Sequence, residues 1–323
     1  MILGIESTAH TFGIGIVDNG KILSNVKDSY TTKSGGIIPI DAAKHHSKCS
    51  NDVLELALKN SGIKLEDIKA IAFSQGPGLA PCLLEGLKFT KELAKKLKVP
   101  VVPVNHCIAH LEIGKITGAK NPVLLYTSGA NTQIISYSSN KYRIFGETLD
   151  IGVGNFIDTF ARYAGIGFPG GPKIQELAKI GKYIELPYSI KGMDVSFSGM
   201  LTNLKQKLDK GEDLNNLAKS LQETGFAMLV EAAERALAHL GKNELLLGGG
   251  VACNSRLQQM CRIMCRERKA KFFCPEKSLL LDNAGMIAYL GEIMLASGIF
   301  EKNLKKLDIK PRQRTDEVEV NWR

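Results

Sequence analysis

Two histidines four residues apart, His106 and His110, have the residue type and spacing of a metal site. Side chains at this spacing project from the same face of a helix, so two neutral imidazoles can bind one divalent ion. The pattern does not fit a zinc peptidase, because Cys107 stands where such an enzyme carries its glutamate general base. The simpler alternative is two histidines of the core or surface that bind no ligand.

Oxygen donors that could complete the site occur elsewhere in the chain. Tyr126 ends the apolar strand that follows the histidines, and Asp282 follows the apolar run 279–281. Two imidazoles with oxygen ligands suit iron, zinc or manganese, and the residues alone do not choose between these metals. We expect the two histidines to be partly exposed in a cleft.

The elements that must position these side chains occur twice along the chain. A strand, a polar turn and a second strand near the start are echoed later, and matching residues keep one constant offset. Ser7, Ala9 and Thr11 correspond in this way to Ser128, Ala130 and Thr132. Each copy continues into alternating helices and strands, which indicates α/β layers. Paired turns of this kind predict the duplicated α/β fold of the actin, sugar kinase and Hsp70 superfamily (ASKHA), with two lobes around a nucleotide-binding cleft.

The duplication divides the chain into two lobes and a tail. We predict a first lobe at 1–121, a second lobe with the nucleotide-binding elements at 122–300, and a C-terminal tail at 301–323 that packs back on the first lobe. The helix predicted at 283–297 is thereby assigned to the second lobe. The remaining predicted helices are 42–60, 82–97, 156–164, 217–240 and 256–268. The predicted strands of this part of the pattern are 70–74, which is expected to be buried, 101–104, 245–247 and 271–273.

Loops rich in glycine lie in the second half. The triplet at 248–250 follows a predicted strand and leads to Asn254, which could cap the next helix or bond a ribose. A loop at 165–172 follows the helix that bears Asp158 and places that carboxylate within reach of a ribose. The ordinary interpretations are a strand-to-helix turn for the triplet and a helix cap or salt bridge for Asp158.

Charge indicates an anionic partner. The 323 residues carry a formal charge of +9 with a pI of about 9.1, and nucleic acid is the natural candidate. A set of solvated helix faces would give the same composition. The basic clusters consist of Lys88, Lys91, Lys95, Lys96 and Lys98, then Arg262, Arg266, Arg268, Lys269 and Lys271, then the segment 302–314.

Cysteine usage and the N-terminus predict the compartment. Seven cysteines without a Cys-x-x-Cys pair argue against a disulfide framework or a zinc ribbon. Met1 leads directly into the apolar strand 2–5 without the charged segment of a signal peptide, and no apolar run is long enough to cross a bilayer. We therefore expect a cytoplasmic protein with no membrane partner.

With these residues assembled, the chain resembles the universal tRNA N6-adenosine threonylcarbamoyltransferase family. These are the TsaD-like proteins formerly described as O-sialoglycoprotein endopeptidases, and the resemblance is to their archaeal and eukaryotic form. The shared motifs run along the whole chain in one order and are therefore highly specific. They are GIESTAHT (4–11), GGIIP (35–39), NHCIAH (105–110), YTSGANT (126–132), GFPGGP (167–172), VSFSG (195–199), GGGVA (248–252) and Asp282-Asn283-Ala284.

The resemblance implies an activity and a set of ligands. The family transfers a threonylcarbamoyl group from threonylcarbamoyl-adenylate to the N6 amine of the adenosine next to the anticodon, in tRNAs that read codons beginning with adenine, and releases AMP. One divalent metal ion per chain is implied, and we favour iron over zinc or magnesium. The implied metal ligands are His106, His110, Tyr126 and Asp282. The residues implied to bind the adenylate, or another adenine nucleotide, are Tyr126, Thr127, Ser128, Gly129, Ala130, Asp158, Gly171, Gln175 and Asn254.

Three residues depart from the family pattern, and further residues are expected to contact phosphate or tRNA. Gln175 stands where relatives often carry glutamate, His10 where bacterial members have an acidic residue, and Ile40 where many archaeal members have arginine. Secondary phosphate contacts are expected from Ser7, Thr8, His10, Gly249 and Gly250. Contacts with tRNA are expected from Lys95, Lys96, Arg266, Arg268 and Lys269.

The resemblance also implies protein partners. Relatives of this type work in the KEOPS complex with tRNA, a small atypical protein kinase and further small subunits, and in some archaea the kinase is fused after the transferase. The chain stops where the transferase domain of the family normally ends, which fits a whole protein or the first domain of such a fusion.

Three competing functions remain open at this point. A small-molecule kinase of the same fold is disfavoured because Glu6 stands in the first turn, where those kinases carry an aspartate for magnesium. A metalloprotease is a second possibility, although the histidine spacing lacks its glutamate. A non-enzymatic nucleic-acid-binding protein is the third, and it rests on the basic clusters.

Overall fold

The computed structural model describes residues 1–32 and 37–323, and these divide into two units. The first unit comprises Met1–Thr31, Ile37–Ile113 and Asp282–Arg323, and the second comprises Gly114–Leu281 with Thr32. Gly35 and Gly36, which belong to one of the family motifs, lie outside the described residues. No helix in the described ranges is long and apolar enough to cross a membrane.

A five-stranded mixed sheet forms the centre of the first unit. Its strands are β1 (Ile2–Glu6), β2 (Thr11–Asp18), β3 (Lys21–Ser29), β4 (Ala70–Gly76) and β5 (Val101–Asn105), in the spatial order β3-β2-β1-β4-β5. β2 pairs antiparallel with β1 and β3, whereas β1, β4 and β5 are parallel. Its helices are α1 (Pro39–Ser61), α2 (Ala80–Leu97), α3 (His106–Ile113) and α10 (Ala284–Ala296). β1 is buried along its whole length, which explains its continuous apolar run.

A second five-stranded sheet forms the centre of the second unit. Its strands are β6 (Val123–Thr127), β7 (Thr132–Ser138), β8 (Lys141–Glu147), β11 (Glu244–Gly248) and β12 (Lys271–Phe273), in the order β12-β11-β6-β7-β8. A short pair, β9 (Ile190–Lys191) and β10 (Asp194–Val195), forms a separate two-stranded sheet next to the end of β8. The helices are α4 (Val153–Tyr163), α5 (Gly171–Leu177), α6 (Ser198–Asp209), α7 (Leu214–Leu240), α8 (Ser255–Glu267) and α9 (Lys277–Leu280).

The two sheets repeat one pattern. Taken in chain order, the five strands of the second sheet occupy the same places and run in the same directions as those of the first. The second and third strands of each sheet are joined by a two-residue turn, Asn19-Gly20 in one and Ser139-Asn140 in the other, and all four residues have positive φ. Such turns match the twist of a hairpin. The predicted duplication and α/β class are confirmed.

Helix α10 belongs to the first unit, whereas the sequence division assigned its residues to the second lobe. A Cβ on Gly4 would lie 2.4 Å from the backbone nitrogen of Ala288, and a Cβ on Gly15 would lie 2.4 Å from that of Gly285. The missing side chains let the helix backbone lie directly on β1 and β2. The boundary therefore falls at Asp282, because the chain returns to the first sheet there.

We expect Gly15→Ala to lower the free energy of unfolding by about 1–3 kcal/mol, since the added methyl group must push α10 away from β2. Gly199→Ala is the matched control, because a Cβ at that position would meet nothing within 4 Å. Urea unfolding of the two variants beside the parent measures the difference. Equal stability of Gly15→Ala and the parent would contradict the close approach described above.

The C-terminal segment packs on the first unit. The amide of Lys310 donates to the carbonyl of Gln75 at 2.8 Å, in the strand-end region of β4. At the end of the chain, Trp322 Nε1 and Arg323 Nε lie 3.5 and 3.4 Å from Oε1 of Glu112, a buried residue of α3. These contacts attach the tail to the helix that carries both histidines.

Candidate metal centre and nucleotide loops

Helix α3 places the two histidines on one face. β5 runs directly into α3, so His106 is the first residue of the helix and His110 lies one turn later. The Asn105 side chain accepts a hydrogen bond from the amide of Ile108 at 3.1 Å. This satisfies one of the amides that a helix leaves free at its start. The two imidazoles lie 4.8 Å apart between ring centroids, edge to face.

Asp282 lies beside both rings. Its Oδ1 is 3.3 Å from His106 Nε2 and 3.5 Å from His110 Nε2. Lys27 Nζ donates to the carbonyl of Asp282 at 3.1 Å, and the Asn283 side chain caps α10 by accepting from the amide of Met286 at 2.9 Å. One ligand atom from each of the two histidines and Asp282 lies within 4.8 Å of the others. The docking of α10 on the first sheet thus places a carboxylate next to α3.

Glu6, which the sequence did not mark as a member of this site, orients His106. It is fully buried at the end of β1, and its Oε2 lies 3.0 Å from His106 Nδ1. The second carboxylate oxygen, Oε1, accepts from the amide of Thr8 at 2.7 Å. A carboxylate on Nδ1 directs the lone pair of Nε2 outward, which is how proteins prepare a histidine to bind a metal. The signal in the sequence was a glutamate at the end of an apolar strand.

Burial and neighbouring charges shift the pKa values of these side chains in opposite directions. Burial opposes the charged form of His106, but Glu6 and Asp282 hold the pKa of its ring well above the usual range. Burial lowers the pKa of His110. Burial also opposes ionisation of Asp282, but His106 beside it holds the pKa of that carboxyl well below its usual range. Two ring nitrogens and a carboxylate oxygen fit a divalent metal, which would replace the proton on His106 Nε2.

The exposure of the histidines differs from our expectation. His106 is 5% exposed and His110 is 1% exposed, so the expectation of partly exposed side chains is wrong. The reason is that α3 is buried along its whole length, so no face of the helix leaves the two imidazoles open to solvent. Tyr126 lies in the second unit as the fourth residue of β6, beside Gly248 of β11 and Gln133 of β7. Its place as a further ligand stays a prediction.

The turn after β6 is built for close backbone approach. Ser128 Oγ accepts from the amide of Asn131 at 3.0 Å, which closes the turn, while Gly129 and Ala130 are exposed. Gly249 has a φ of +90°, and a Cβ there would lie 2.5 Å from the carbonyl oxygen of Thr127. Glycine is therefore required at 249 both for the positive φ and for the close approach to Thr127. The glycine triplet at 248–250 thus lies directly on the turn that follows β6.

Two of the predicted nucleotide-binding residues, Asp158 and Gln175, accept hydrogen bonds from amides next to two others, Gly171 and Asn254. Asp158 Oδ1 accepts from the amide of Gly170 at 2.7 Å, next to Gly171 at the start of α5. From the same helix, Gln175 Oε1 accepts from the amide of Ser255 at 3.2 Å, and Ser255 follows Asn254. A Cβ on Gly171 would meet nothing within 4 Å, so open space lies in front of it.

Asn254 caps α8, which is one of the two roles that the sequence predicted for it. Its Oδ1 accepts from the amides of Arg256 and Leu257 at 2.9 and 3.3 Å, and its Nδ2 donates to Gln222 Oε1 at 2.6 Å. A substitution at this position therefore tests the helix as well as the ligand. Any loss of nucleotide affinity must be separated from the loss of the cap.

We expect Asn254→Ala to weaken binding of an adenine nucleotide by about 1–2 kcal/mol and also to destabilise the chain by about 1 kcal/mol through the lost cap. Asn254→Ser keeps a capping oxygen but removes the amide and its hydrogen bond to Gln222, so it should lose nucleotide affinity while the cap of α8 is kept. Calorimetry with AMP, beside thermal unfolding, measures both effects. Parental affinity in Asn254→Ser would exclude a ligand role for the amide.

The phosphate candidates of the first turn are mostly engaged internally. Ser7 and Thr8 are buried, and Thr8 Oγ1 donates to Glu6 Oε1 at 2.5 Å. The carbonyl of His10 accepts from the amide of Tyr30 at 2.8 Å. Gly86 allows α2 to approach this turn, because a Cβ there would lie 1.9 Å from Ser7 Oγ. The side chains of Ser7 and Thr8 therefore support the turn, and their phosphate role stays a prediction.

The candidate tRNA residues are exposed but differ in their pairing. Lys95 and Lys96 lie in the last turn of α2 in the first unit. At the end of α8 in the second unit, Arg268 forms an ion pair with Glu234, and Arg266 lies 3.5 Å from Glu267. Part of the positive charge of this second cluster is therefore compensated by acidic neighbours.

Comparison with known proteins identifies the family. The model of the family described as tRNA N6-adenosine threonylcarbamoyltransferase (TsaD) matches residues 21–289. The protein of that name from Thermococcus kodakarensis is 54% identical over 322 residues, which cover 99% of each chain. A probable bifunctional tRNA threonylcarbamoyladenosine biosynthesis protein from Thermoplasma volcanium is 50% identical over 324 residues, which cover all of this chain and 61% of that one.

Comparison with solved structures confirms the fold. The crystal structure of HypF from T. kodakarensis superimposes with a TM-score of 0.63 at 14% identity, over 91% of this chain and 47% of that one. A likeness at that identity shows a shared fold alone, and this fold is the predicted ASKHA type. The full-length matches to named transferases decide against a small-molecule kinase and a non-enzymatic protein. The chain belongs to the tRNA N6-adenosine threonylcarbamoyltransferase family and is therefore an enzyme of the transferase class.

Proposed function

We propose that the chain transfers the threonylcarbamoyl group of threonylcarbamoyl-adenylate to the N6 amine of the adenosine next to the anticodon, in tRNAs that read codons beginning with adenine. The amine forms a bond to the carbamoyl carbon, the bond from that carbon to the phosphate oxygen breaks, the amine loses a proton, and AMP leaves. The observation that carries the proposal is the group of His106, His110 and Asp282 in a chain that matches transferases over its whole length.

These three residues would hold the metal, for which we favour iron over zinc or magnesium. Two imidazoles and one carboxylate suit iron. When bound, the ion supplies polarisation of the activated substrate and compensates charge on the departing phosphate. Glu6 fixes the ring of His106 through Nδ1, at 3.0 Å, so that Nε2 needs no rearrangement to bind. The chain thereby contributes a site whose ligands are held in place before the ion arrives.

The second unit would bind the adenylate. The exposed backbone of Gly129 and Ala130 suits a phosphate, because consecutive amides in a tight turn form a concave site for an anion. Asp158 accepts from the amide that precedes Gly171 at the start of α5, and Gln175 of α5 accepts from the amide that follows Asn254 at the start of α8, which fits one ribose-binding surface. Since the anhydride is already activated, catalysis here consists mainly of positioning and charge stabilisation. No nucleophilic side chain is needed.

We also propose that the chain acts as the catalytic subunit of a KEOPS-type complex, with a small atypical protein kinase and further small subunits. The bifunctional name of the T. volcanium relative, and the further 39% of that protein beyond the region shared with this chain, support a physical association with a second activity. The tRNA is the second macromolecular partner of the proposal, and the formal charge of +9 favours it.

Mass spectrometry of tRNA nucleosides tests the proposed reaction. The chain is incubated with unmodified tRNA, threonylcarbamoyl-adenylate and the partner subunits, and we expect threonylcarbamoyladenosine in tRNAs that read codons beginning with adenine. A tRNA in which guanosine replaces the target adenosine is the control. Failure to form the modified nucleoside with all components present, or equal labelling of the control tRNA, would refute the proposal.

Salt dependence tests the tRNA surface. Neutralising Lys95 and Lys96, or Arg266, Arg268 and Lys269, should flatten the slope of log affinity against log salt by roughly 0.7–0.9 for each lost phosphate contact. We expect the larger effect per residue at Lys95 and Lys96, because Arg268 is paired with Glu234. Lys141→Ala, an exposed lysine of β8 outside both clusters, is the control. A parental slope in every variant would assign tRNA binding to the partner subunits.

A further inference from the structure

We propose that Asp28, His45 and Cys49 form a second metal site, for a thiophilic divalent ion such as Zn²⁺. The three residues lie in the first unit, Asp28 on β3 and the following two on α1. They share no residue with the group of His106, His110 and Asp282. The proposed activity does not use them.

The geometry of the three side chains carries the proposal. His45 and Cys49 are four residues apart on α1 and therefore project from one face of the helix. Asp28 Oδ1 lies 3.3 Å from Nε2 of His45, and Cys49 Sγ lies 3.8 Å from Nδ1, the other nitrogen of the same ring. Only one of these two nitrogens would bind the ion. One ligand atom from each residue lies within 4.8 Å of the others. Ligands of a tetrahedral zinc ion, at roughly 2.0–2.3 Å from the metal, are separated from one another by similar distances.

The donor set selects the class of ion. A thiolate, an imidazole and a carboxylate together suit Zn²⁺ and its relatives, whereas Mg²⁺ and Ca²⁺ prefer oxygen ligands throughout. Exposure decreases from Asp28 through His45 to Cys49, which is buried, so the thiol lies at the closed end of the group and the carboxylate at its open end. An ion could therefore reach the site from solvent and leave one coordination position for water.

The Asp28 carboxylate supplies negative charge that favours a cation at this group. An ion bound to Cys49 would replace the proton of the thiol and release that proton to solvent. Cys82 provides a contrast within the same unit, because it is also buried but belongs to neither metal group.

An ion at this site would connect the edge of the first sheet to its covering helix. Among the strands of the described residues, β3 is the outermost on its side of the sheet and pairs only with β2. A ligand from β3 and two from α1 would cross-link these elements, so binding should stabilise the folded chain by mass action. The role we infer is structural, and the site is distant in sequence from His106 and His110.

Cobalt titration of the full chain tests the site. In a His106→Gln/His110→Gln background, which removes the first group, we expect one Co²⁺ per chain with an absorption band from thiolate to metal. Adding Cys49→Ser should abolish the band, and adding His45→Gln should weaken Co²⁺ binding at least tenfold. Cys82→Ser, a buried cysteine of the same unit, should keep the band. Absence of the band in the parent background, or its persistence after Cys49→Ser, would overturn the proposal.

Thermal unfolding provides an independent measurement. Zn²⁺ should raise the melting temperature of the same background and of its Cys82→Ser derivative, whereas Mg²⁺ should not. The Cys49→Ser derivative should unfold at the same temperature with Zn²⁺ and with a chelator. Unfolding in the chelator compares the intrinsic stability of all variants, so a misfolded variant is recognised. A rise with Zn²⁺ that survives Cys49→Ser would place the ion elsewhere and overturn the assignment.

Discussion

Asp282→Asn is expected to lower the rate of threonylcarbamoyl transfer by more than about 100-fold, a larger effect than the 10–100-fold typical of residues that only support a metal ligand. The amide keeps the shape of the side chain but removes the charge that lies 3.3 and 3.5 Å from the two imidazoles. The side chain is 22% exposed, so little packing is lost. The rate of nucleoside modification and the metal content of the purified chain measure the effect together.

The histidine variants must be chosen with burial in mind. Alanine at His106 or His110 would empty a buried position, which costs about 2–5 kcal/mol for side chains of this size, and lost activity could then reflect unfolding. Glutamine at either position fills more of the space and should give the same loss of transfer as Asp282→Asn. His46→Gln is the control, because His46 is equally buried in the same unit but donates to the carbonyl of Ala9. Parental rate and metal content in Asp282→Asn would remove these residues from the mechanism.

The repeated sheet could be predicted because its signals are local. Apolar runs, two-residue turns and the constant offset between Ser7 and Ser128 are all visible within short windows of sequence. The position of α10 depends instead on contacts between residues far apart in the chain. Gly4 and Gly15 leave room for the helix backbone, but a glycine in a strand does not indicate which helix will lie on it. The lobe boundary therefore had to come from the structure.

The residues of the candidate site likewise divide into those that a local pattern predicts and those that only the fold brings together. His106 and His110 stand out by spacing alone, and Asp282 by its place after an apolar run. The roles of Asn254 and Gln175 at the start of α8 depend on how α5, α7 and α8 meet, which no local pattern determines. Ser7 and Thr8 were expected at a phosphate, and the structure shows both buried. Polar residues in a conspicuous turn can serve the turn itself.

Glu6 is the residue whose importance emerges from the fold alone, and Glu6→Gln is the second variant expected to have a large effect. We expect metal affinity to fall by about 10–100-fold and the transfer rate to fall with it. One carboxylate oxygen accepts from the amide of Thr8, and the second lies 3.0 Å from His106 Nδ1. An amide cannot accept at both positions, because one of its two ends is a donor.

Either orientation of the glutamine is unfavourable. If its NH₂ group faces His106, it favours the tautomer with a lone pair on Nδ1 and a proton on Nε2, where the metal must bind. If its NH₂ group faces Thr8, two donors oppose each other in a buried place, which costs about 1–3 kcal/mol. The first case blocks the ligand directly, and the second loosens the turn that holds it.

Metal affinity, measured by competition with a chelator, separates this positioning role from a general loss of stability. The measurement is made in the Cys49→Ser background, so that the second proposed site does not contribute. Glu112→Gln is the control, since Glu112 is also fully buried on α3 but lies beside Trp322 and Arg323 at the end of the chain. We expect Glu112→Gln to change unfolding without changing metal affinity, and Glu6→Gln to change affinity. If both variants bind the metal as tightly as their parent, Glu6 supports the first turn and has no part in preparing His106.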